Sequence, residues 1–387
     1  MRPTSNILVL LAATLLALLA IEGFLHVYHP FGFRLRGNSI VLPATMRYAF
    51  NGATGNGLDS EIVHTKNAIG FRGPMPPPDW ANHLTVVAIG GSTTECFYLS
   101  DGKDWPALLA GNLVPNFPRL WVENAGLDGH SSFGHTVLLH QAVAPMQPNV
   151  VLFLVGANDV GLSNQKGDDD RLNPASAWSS PRGFLLALAQ HTEIGALGLN
   201  LYRYWHTVRW GLAQGEFHVP RDPGSFAPAT TETPDATATT LIAAHAAFRD
   251  GYRARLENLV RESVAAGILP VLITQPFLLG DAVDPRTGVD LSRVRLDLWG
   301  SVLDGHTQWR LLDSYNDVTR DVAATLNVSV IDLARLMPKT TLYFYDSMHF
   351  NNDGATAVAA FVAAALCPVL ASRFPSQTGA HCVSRTN

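Results

Sequence analysis

LTVVAIGGSTTE, residues 84–95, determines how the rest of this 387-residue chain is interpreted. Its first six residues form a nearly continuous apolar run, and two glycines and a polar cluster follow. A strand that is apolar throughout, rather than alternating, is buried on both faces, which is typical of a parallel sheet. Four further strands are predicted at residues 120–123, 150–155, 268–274 and 328–333.

Helices are predicted between these strands, and the alternation indicates a doubly wound α/β fold. They fall at residues 105–113, 131–144, 241–266 and 294–326, with a last helix at 353–371. Gly267 is placed to end the third helix, because glycine adopts the left-handed conformation that closes helices. Residues 161–240 break the alternation with Asp168-Asp169-Asp170, several aromatic residues and a loop rich in Pro, Thr and Ala. We interpret this stretch as an insertion, part helical and part mobile. Its aromatic residues either line a substrate cleft or form a small satellite core, and the core is favoured.

The composition is that of a folded protein without a nucleic-acid partner. The chain has 27 Lys and Arg against 32 Asp and Glu, a net charge of −5, and 47% hydrophobic residues. This apolar content is too high for general disorder, and no basic stripe is present to bind nucleic acid. Three cysteines exclude a disulfide-rich scaffold and a four-cysteine zinc site. Cys367 and Cys382 lie 15 residues apart, and the sequence is compatible both with a disulfide between them and with unpaired thiols.

An apolar segment near the N-terminus is predicted to cross a membrane. Residues 7–21 carry no charge, and continuation to Tyr28 gives 22 residues, roughly 33 Å of helix. Glu22 lies within the later part of this segment. A cleaved signal peptide is the alternative, but no clean Ala-x-Ala cleavage site follows the run. An uncleaved anchor over residues 7–28 is therefore favoured.

The charges around this segment predict its orientation. Arg2 is the only charged side chain before it, so the positive-inside rule leaves residues 1–6 in the cytoplasm and the later domain outside. Residues 29–83 contain several prolines and are expected to be an irregular lead-in. The domain itself is assigned to residues 84–372, and residues 373–387 form a C-terminal tail.

Polar residues follow the predicted strands at the edge of the sheet where α/β proteins bind ligands. Ser92 follows the first strand, where its own N–H lies near a helix N-terminus that favours negative charge. Gly129 follows the second strand and lets a backbone N–H approach a substrate oxygen without a side chain in the way. Asn158 follows the third strand and offers a side-chain amide. Together these groups are candidate donors of an oxyanion hole.

Asp346 and His349 follow the fifth strand, just before the last helix. They are three residues apart, so on one helical turn their side chains lie side by side. The carboxylate then fixes the tautomer of the imidazole, whose other nitrogen takes the proton of Ser92. Each of these residues alone has an ordinary explanation as a cap, a turn residue or a buried histidine. Their joint occurrence at one sheet edge favours a Ser-His-Asp catalytic site.

These clusters resemble the four sequence blocks of the SGNH/GDSL hydrolases, a family of serine esterases. In chain order they are GGSTTE, NAGLDGHSS, GANDV and DSMHF. The resemblance covers residues 84–371 apart from the insertion. It implies a flavodoxin-like, three-layer α/β/α fold with a five-stranded parallel sheet, to which this chain adds the N-terminal transmembrane helix. It also implies that the first strand lies between the second and the third.

The resemblance also assigns the site. It implies a catalytic triad formed by Ser92, Asp346 and His349. It also implies an oxyanion hole whose donors are Ser92, Gly129 and Asn158. Gly126 is an alternative to Gly129 as a donor, although the glycine of the family stands where Gly129 does. The sequence departs from the family at Gly91, where the family has an aspartate, which puts the support of the nucleophile turn in question.

The sequence therefore predicts a membrane-anchored serine carboxylic ester hydrolase whose domain lies outside the cytoplasm. Its expected partners are the membrane and an acylated small molecule or polysaccharide, by analogy with the family an O-acetylated envelope or extracellular carbohydrate. Two alternatives remain: an O-acyltransferase that uses the same site, and a non-catalytic carbohydrate-binding protein. Neither a cofactor nor a metal is expected, because the chemistry needs none and His130, His135 and His140 recur at a spacing that does not stack on a helix.

Overall fold

The computed structural model describes residues 3–28, 34–36, 39–42, 47–51, 57–162, 188, 192–198 and 232–379. The chain divides into two compact units. One comprises Met1–Pro43 and Ser163–His218, and the other comprises Ala44–Leu162 and Val219–Asn387. All the candidate site residues belong to the second unit.

The first unit contains the apolar N-terminal helix α1 (Pro3–Tyr28) and a hairpin of β1 (Arg34–Arg36) and β2 (Ser39–Val41). The side chains of α1 are mostly exposed, and the helix is long and apolar enough to cross a membrane. It is therefore a candidate membrane anchor or signal sequence. Glu22 accepts hydrogen bonds from the N–H groups of Glu193 and Ile194, at 2.6 and 2.9 Å. These donors begin a short helix, so its N-terminus stabilises the one carboxylate of α1.

The second unit is built on a five-stranded parallel sheet. A hairpin of β3 (Arg47–Asn51) and β4 (Glu61–Thr65) precedes it. The sheet strands are β5 (Leu84–Gly90), β6 (Leu120–Asn124), β7 (Val150–Leu154), β8 (Leu269–Ile273) and β11 (Ser329–Ile331). Between β8 and β11, the chain forms a separate hairpin of β9 (Arg295–Leu298) and β10 (Ser301–Asp304). Their order is β11-β8-β7-β5-β6, and every residue of β5 and β7 is buried. This arrangement confirms the α/β fold with its first predicted strand between the second and the third.

Two groups of helices complete the layers. The helices are α2 (Ser92–Glu95), α3 (Trp105–Leu113), α4 (Ser132–Leu138), α5 (Ala144–Met146), α6 (Asp235–Ala244), α7 (Ala246–Ala265), α8 (Gly305–Leu326), α9 (Leu333–Leu336) and α10 (Asn352–Arg373). Helix α3 packs on α10, whereas α7 packs on both α4 and α8. Helix α10 is also apolar enough to cross a membrane, but it is half buried within the domain. Gly267, which follows α7, has a φ of +76°, the conformation expected of a residue that ends a helix.

Two predicted segments differ from the structure. A helix was expected over residues 294–326, but α8 begins only at Gly305, where the Asp304 carboxylate accepts from the Thr307 N–H at 2.9 Å. The β9–β10 hairpin occupies the start of that segment because Trp299 and Gly300, with φ of 51° and 77°, form its tight turn. The lead-in, residues 29–83, was expected to be irregular but contains the four strands β1 to β4.

Several expectations lie outside the described residues. These are the aspartate triplet 168–170, the aromatic residues of the insertion and Cys382. Cys367 is disulfide-bonded, and Cys96 is free and buried.

Candidate active site

The nucleophile turn joins β5 to the short helix α2, which begins at Ser92. Arg72, which is 2% exposed, donates from one guanidinium nitrogen to the carbonyls of Glu95 and Cys96, at 2.9 and 2.7 Å. These carbonyls lie at the C-terminal end of α2, where helical hydrogen bonding leaves acceptors unsatisfied. A buried cation from the lead-in therefore supports the turn, although the aspartate of the family is absent.

Three side chains form a continuous hydrogen-bonded chain at the carboxyl edge of the sheet. Ser92 Oγ lies 2.7 Å from His349 Nε2, and His349 Nδ1 lies 2.6 Å from Asp346 Oδ2. The side chains of His349 and Asp346 are 27% and 29% exposed, so the imidazole remains accessible to a substrate. The structure thus brings together the three residues that the sequence analysis singled out for the triad.

Asp346 and His349 were expected to share a helical turn, but in the structure they do not. Asp346 Oδ1 accepts from the backbone N–H groups of Met348 and His349, at 2.8 and 2.7 Å. An aspartate that binds the following N–H groups in this way stabilises a bend instead of a helix. Helix α10 starts later, at Asn352. The bend still holds the carboxylate against the imidazole.

Opposing effects set the pKa values of this pair. Burial raises the pKa of Asp346, but the charge of His349 and hydrogen bonds from His349 and Met348 together hold it below its ordinary value. Burial lowers the pKa of His349, but the charge and hydrogen bond of Asp346, with a contribution from Asp128, together hold it above its ordinary value. The carboxylate is therefore ionised, and the imidazole is a stronger base than usual.

Asn158 lies in the single turn Ala157–Asp159 after β7. Its side-chain nitrogen donates to the carbonyl of His130 at 2.9 Å, which leaves the second N–H of the amide for another acceptor. A Cβ atom placed on Gly91 would lie 2.5 Å from this nitrogen. The amide of Asn158 therefore occupies the space that a side chain at position 91 would need.

Gly129 lies in the exposed loop after β6. Its φ is +71°, a conformation that favours glycine, and a Cβ atom placed there would meet no other atom within 4 Å. The N–H of the alternative, Gly126, already donates to Asn124 Oδ1 at 2.9 Å, and a Cβ there would lie 2.3 Å from the Glu95 nitrogen. Gly126 is therefore packed and satisfied, whereas Gly129 borders open space.

Asp159, next to Asn158, is completely buried. It accepts from the backbone N–H and hydroxyl of Ser132 and from Arg255 Nη2, the last at 3.1 Å. Burial nevertheless raises the pKa of Asp159. These contacts join the loop after β7 to helices α4 and α7, and thereby support the position of Asn158.

Three buried residues beside this site were not recognised from the sequence: Arg72, and Lys66 and Glu95, whose side chains form an ion pair at 2.6 Å. Lys66 and Arg72 lie in the lead-in, and single basic residues outside the motif blocks give no signal. Glu95 lies within the GGSTTE block. An acidic residue among small and polar ones was the one feature of the sequence that could have indicated a role for Glu95 at the site. Within the described residues, no group of three or more His, Cys, Asp or Glu is arranged to hold a metal ion.

Comparison with known proteins gives a family and several similar structures. The profile of the GDSL-like Lipase/Acylhydrolase family matches residues 88–357. An acetylxylan esterase from Geobacillus stearothermophilus is 16% identical with a TM-score of 0.39, covering 78% of this chain and 97% of that chain. An alpha/beta hydrolase enzyme from the metagenome of Lake Arreo, Spain, is 18% identical with a TM-score of 0.40, covering 73% and 94%. No curated protein sequence matches this chain. The family match includes all four polar blocks that follow the strands.

Proposed function

The chain belongs to the GDSL-like lipase/acylhydrolase family and is an SGNH-type serine esterase, and from this premise we propose that Ser92 is its nucleophile, His349 its general base and Asp346 the residue that orients His349. The observation that carries the proposal is the hydrogen-bonded chain of these side chains, with distances of 2.7 and 2.6 Å. A nucleophile within reach of a base that a third group orients is the arrangement on which acyl transfer depends.

In the first half of the reaction, Ser92 Oγ attacks the ester carbonyl while His349 Nε2 takes its proton. The carbonyl oxygen becomes an oxyanion, which accepts hydrogen bonds from the Ser92 N–H, the Gly129 N–H and the free N–H of Asn158. His349 then returns the proton to the leaving alcohol, and an acyl-Ser92 ester remains. Asp346 stabilises the imidazolium throughout.

In the second half, water attacks the acyl-enzyme while His349 takes one of its protons. The tetrahedral intermediate collapses, the proton returns to Ser92 Oγ, and the carboxylic acid leaves. An alcohol acceptor that enters in place of water would give acyl transfer from the same intermediate, so the two outcomes differ only in the acceptor.

We further propose that the substrate is an O-acylated carbohydrate outside the cytoplasm and that α1 anchors the enzyme to the membrane. The length and exposure of α1 and the basic residue Arg2 before it support this orientation. Partial exposure of His349 supports hydrolysis of an ester on a large substrate, because the alcohol part can remain outside the site.

Labelling with a fluorophosphonate, followed by intact-mass measurement, tests the nucleophile. We expect one adduct on the wild-type protein and none on Ser92→Ala. Ser100→Ala is the matched control, because the hydroxyl of Ser100 donates to the Glu61 carbonyl, at 3.5 Å, and takes no part in the chain of Ser92, His349 and Asp346. We expect labelling of this variant to persist. A folded wild-type protein without an adduct, or an adduct that persists on Ser92→Ala, would contradict the proposal.

The products distinguish hydrolysis from transfer. Acetylated xylo-oligosaccharide is incubated with the enzyme, with and without an excess of unacetylated oligosaccharide, and free acetate and newly acylated sugar are both measured. We expect free acetate under both conditions. Newly acylated sugar without acetate would instead indicate an acyltransferase.

A further inference from the structure

A buried ion pair lies beneath the loop that carries Gly129. Lys66 directly follows β4, and Glu95 ends α2, the helix that Ser92 begins. Lys66 Nζ lies 2.6 Å from Glu95 Oε1, and the two residues are 3% and 6% exposed. Burial and the charges of Arg72 and Lys66 lower the pKa of the neighbouring His64 to about 2, so His64 is neutral and Lys66 balances the carboxylate.

Both members of the pair hold the loop after β6, residues 125–129, which we call the oxyanion loop. Lys66 Nζ donates to the Gly126 carbonyl at 3.3 Å, and Glu95 Oε2 accepts from the Asp128 N–H at 2.6 Å. The second contact holds the peptide between Leu127 and Asp128, one peptide before the one that carries the Gly129 N–H. Glu95 is three residues from Ser92 on the same helix, α2. The hydrogen bond from the Asp128 N–H to its carboxylate therefore ties the oxyanion loop to the helix that begins with Ser92.

The energetics suggest a role other than stability. A buried ion pair loses its hydration, and replacement by apolar residues of similar size is often neutral or stabilising. The contacts of this pair are instead directed at a loop whose end must meet an oxyanion. Misplacement of a catalytic group by about 1 Å costs on the order of 10²-fold in rate.

We propose that Lys66 and Glu95 are positioning residues that fix the Gly129 N–H relative to Ser92 for oxyanion binding. This inference rests on the proposed role of Gly129. It also makes the lead-in part of the catalytic machinery, because Lys66 comes from that segment.

The test compares two double variants that both remove the ion pair. Lys66→Met with Glu95→Leu removes both charges of the pair and the acceptor for the Asp128 N–H, whereas Lys66→Met with Glu95→Gln keeps a carbonyl acceptor. With a soluble acetyl ester, we expect kcat to fall about 10- to 100-fold in the first variant. KM should change less than about threefold, and the second variant should recover most of kcat. The surface pair Arg253 and Asp321, replaced by Met and Leu, is the control and should keep wild-type kinetics.

Glu95→Asp keeps the charge and provides a second test if the apolar variant does not fold. It withdraws the acceptor from the Asp128 N–H by one methylene, and we expect kcat to fall at least about fivefold with KM nearly unchanged. Wild-type kcat in Glu95→Asp or in the apolar variant would overturn the inference, as would equal losses in both double variants. Fluorophosphonate labelling of the wild-type protein separates the two failures, because it depends on Ser92 whatever the role of Lys66.

Discussion

Gly91 shows how a single residue shapes the candidate site. The resemblance predicts an aspartate before the nucleophile, and its absence put the support of the turn in question. In the structure, Arg72 supports the turn, and the amide of Asn158 lies 2.5 Å from the place of a Cβ at position 91. Glycine is therefore favoured here by the close approach of the Asn158 amide, the proposed oxyanion donor, rather than by backbone conformation.

Gly91→Ala is accordingly expected to displace the amide of Asn158 and to lower kcat about 10²-fold, as loss of one oxyanion donor does. Asn158→Ala should have a similar effect, and the double variant should be little worse than either, because both changes remove the same hydrogen bond. Gly111→Ala on α3 is the control, since a Cβ there meets no atom within 4 Å, and its kcat should not change. Additive losses in the double variant would show that Gly91 acts independently of Asn158.

The pKa of His349 predicts the pH dependence of the enzyme. His349 must be neutral to accept the proton of Ser92, so kcat/KM falls as pH drops through its pKa. Because Asp346 holds that pKa above the ordinary 6.5, the midpoint of the acid limb should lie above pH 6.5. Asp346→Asn removes the charge, so the midpoint should move to lower pH and kcat should fall on the order of 10⁴-fold. A pH profile of kcat/KM for both proteins checks this, and an unshifted midpoint in the variant would contradict it.

At the scale of elements, unbroken apolar strands were the features that sequence alone predicted well. Strands β5 and β7 are buried on both faces, so β7 carries no polar residue and β5 carries only Thr85. The β9–β10 hairpin was missed because Trp299 occupies a left-handed turn position that usually signals itself with Asn, Asp or Gly. Lys66 was missed because its role depends on a contact with Glu95, and no local pattern encodes a contact between distant residues.

Arg255 on helix α7 forms an ion pair with Asp159 in the loop after β7. Loss of this ion pair should mainly affect the stability of the fold. Arg255→Met leaves the fully buried Asp159 without its cation, which should cost about 3–5 kcal/mol in the free energy of unfolding. Arg253→Met, two residues earlier on α7, breaks only a partly exposed pair with Asp321 and should cost less than about 1 kcal/mol. Urea unfolding of the two variants measures the difference. Equal losses would mean that Asp159 does not depend on Arg255.

At the scale of the whole molecule, parallel topology assembles the site from distant parts of the chain. Ser92 and His349 are 257 residues apart in sequence and share a hydrogen bond. The carboxyl ends of β5, β6 and β7 meet at one sheet edge, so blocks that follow neighbouring strands come together whatever the length of chain between them. Asp346 and His349 follow β11 at the same edge of the sheet. The rule therefore allowed the sequence to place the candidate triad, and it explains why a long insertion between β7 and β8 does not separate its members.

The apolar helix α1 leads to a prediction for the complete protein in cells. The full chain should remain in the membrane pellet after alkaline carbonate washing, because its apolar run is long enough to span a bilayer. A chain that begins at Ala44 should be released, with kcat on a soluble ester unchanged, since the triad lies wholly in the second unit. A mature protein that has lost its first residues by intact mass would instead identify α1 as a signal sequence.

The orientation of the anchored protein is checked with a membrane-impermeant maleimide. Ser376→Cys places a thiol at an exposed position, Cys96 is buried, and Cys367 is disulfide-bonded. We expect intact cells to label Ser376→Cys above the wild-type background, because Arg2 favours a cytoplasmic N-terminus and so places the domain outside. Ser5→Cys is the matched control, because it lies near the N-terminal end of α1, which is expected to be on the cytoplasmic side of the membrane. It should react only after the cells are broken. Labelling of Ser5→Cys but not Ser376→Cys in intact cells would invert the topology and would exclude an extracellular carbohydrate as the substrate.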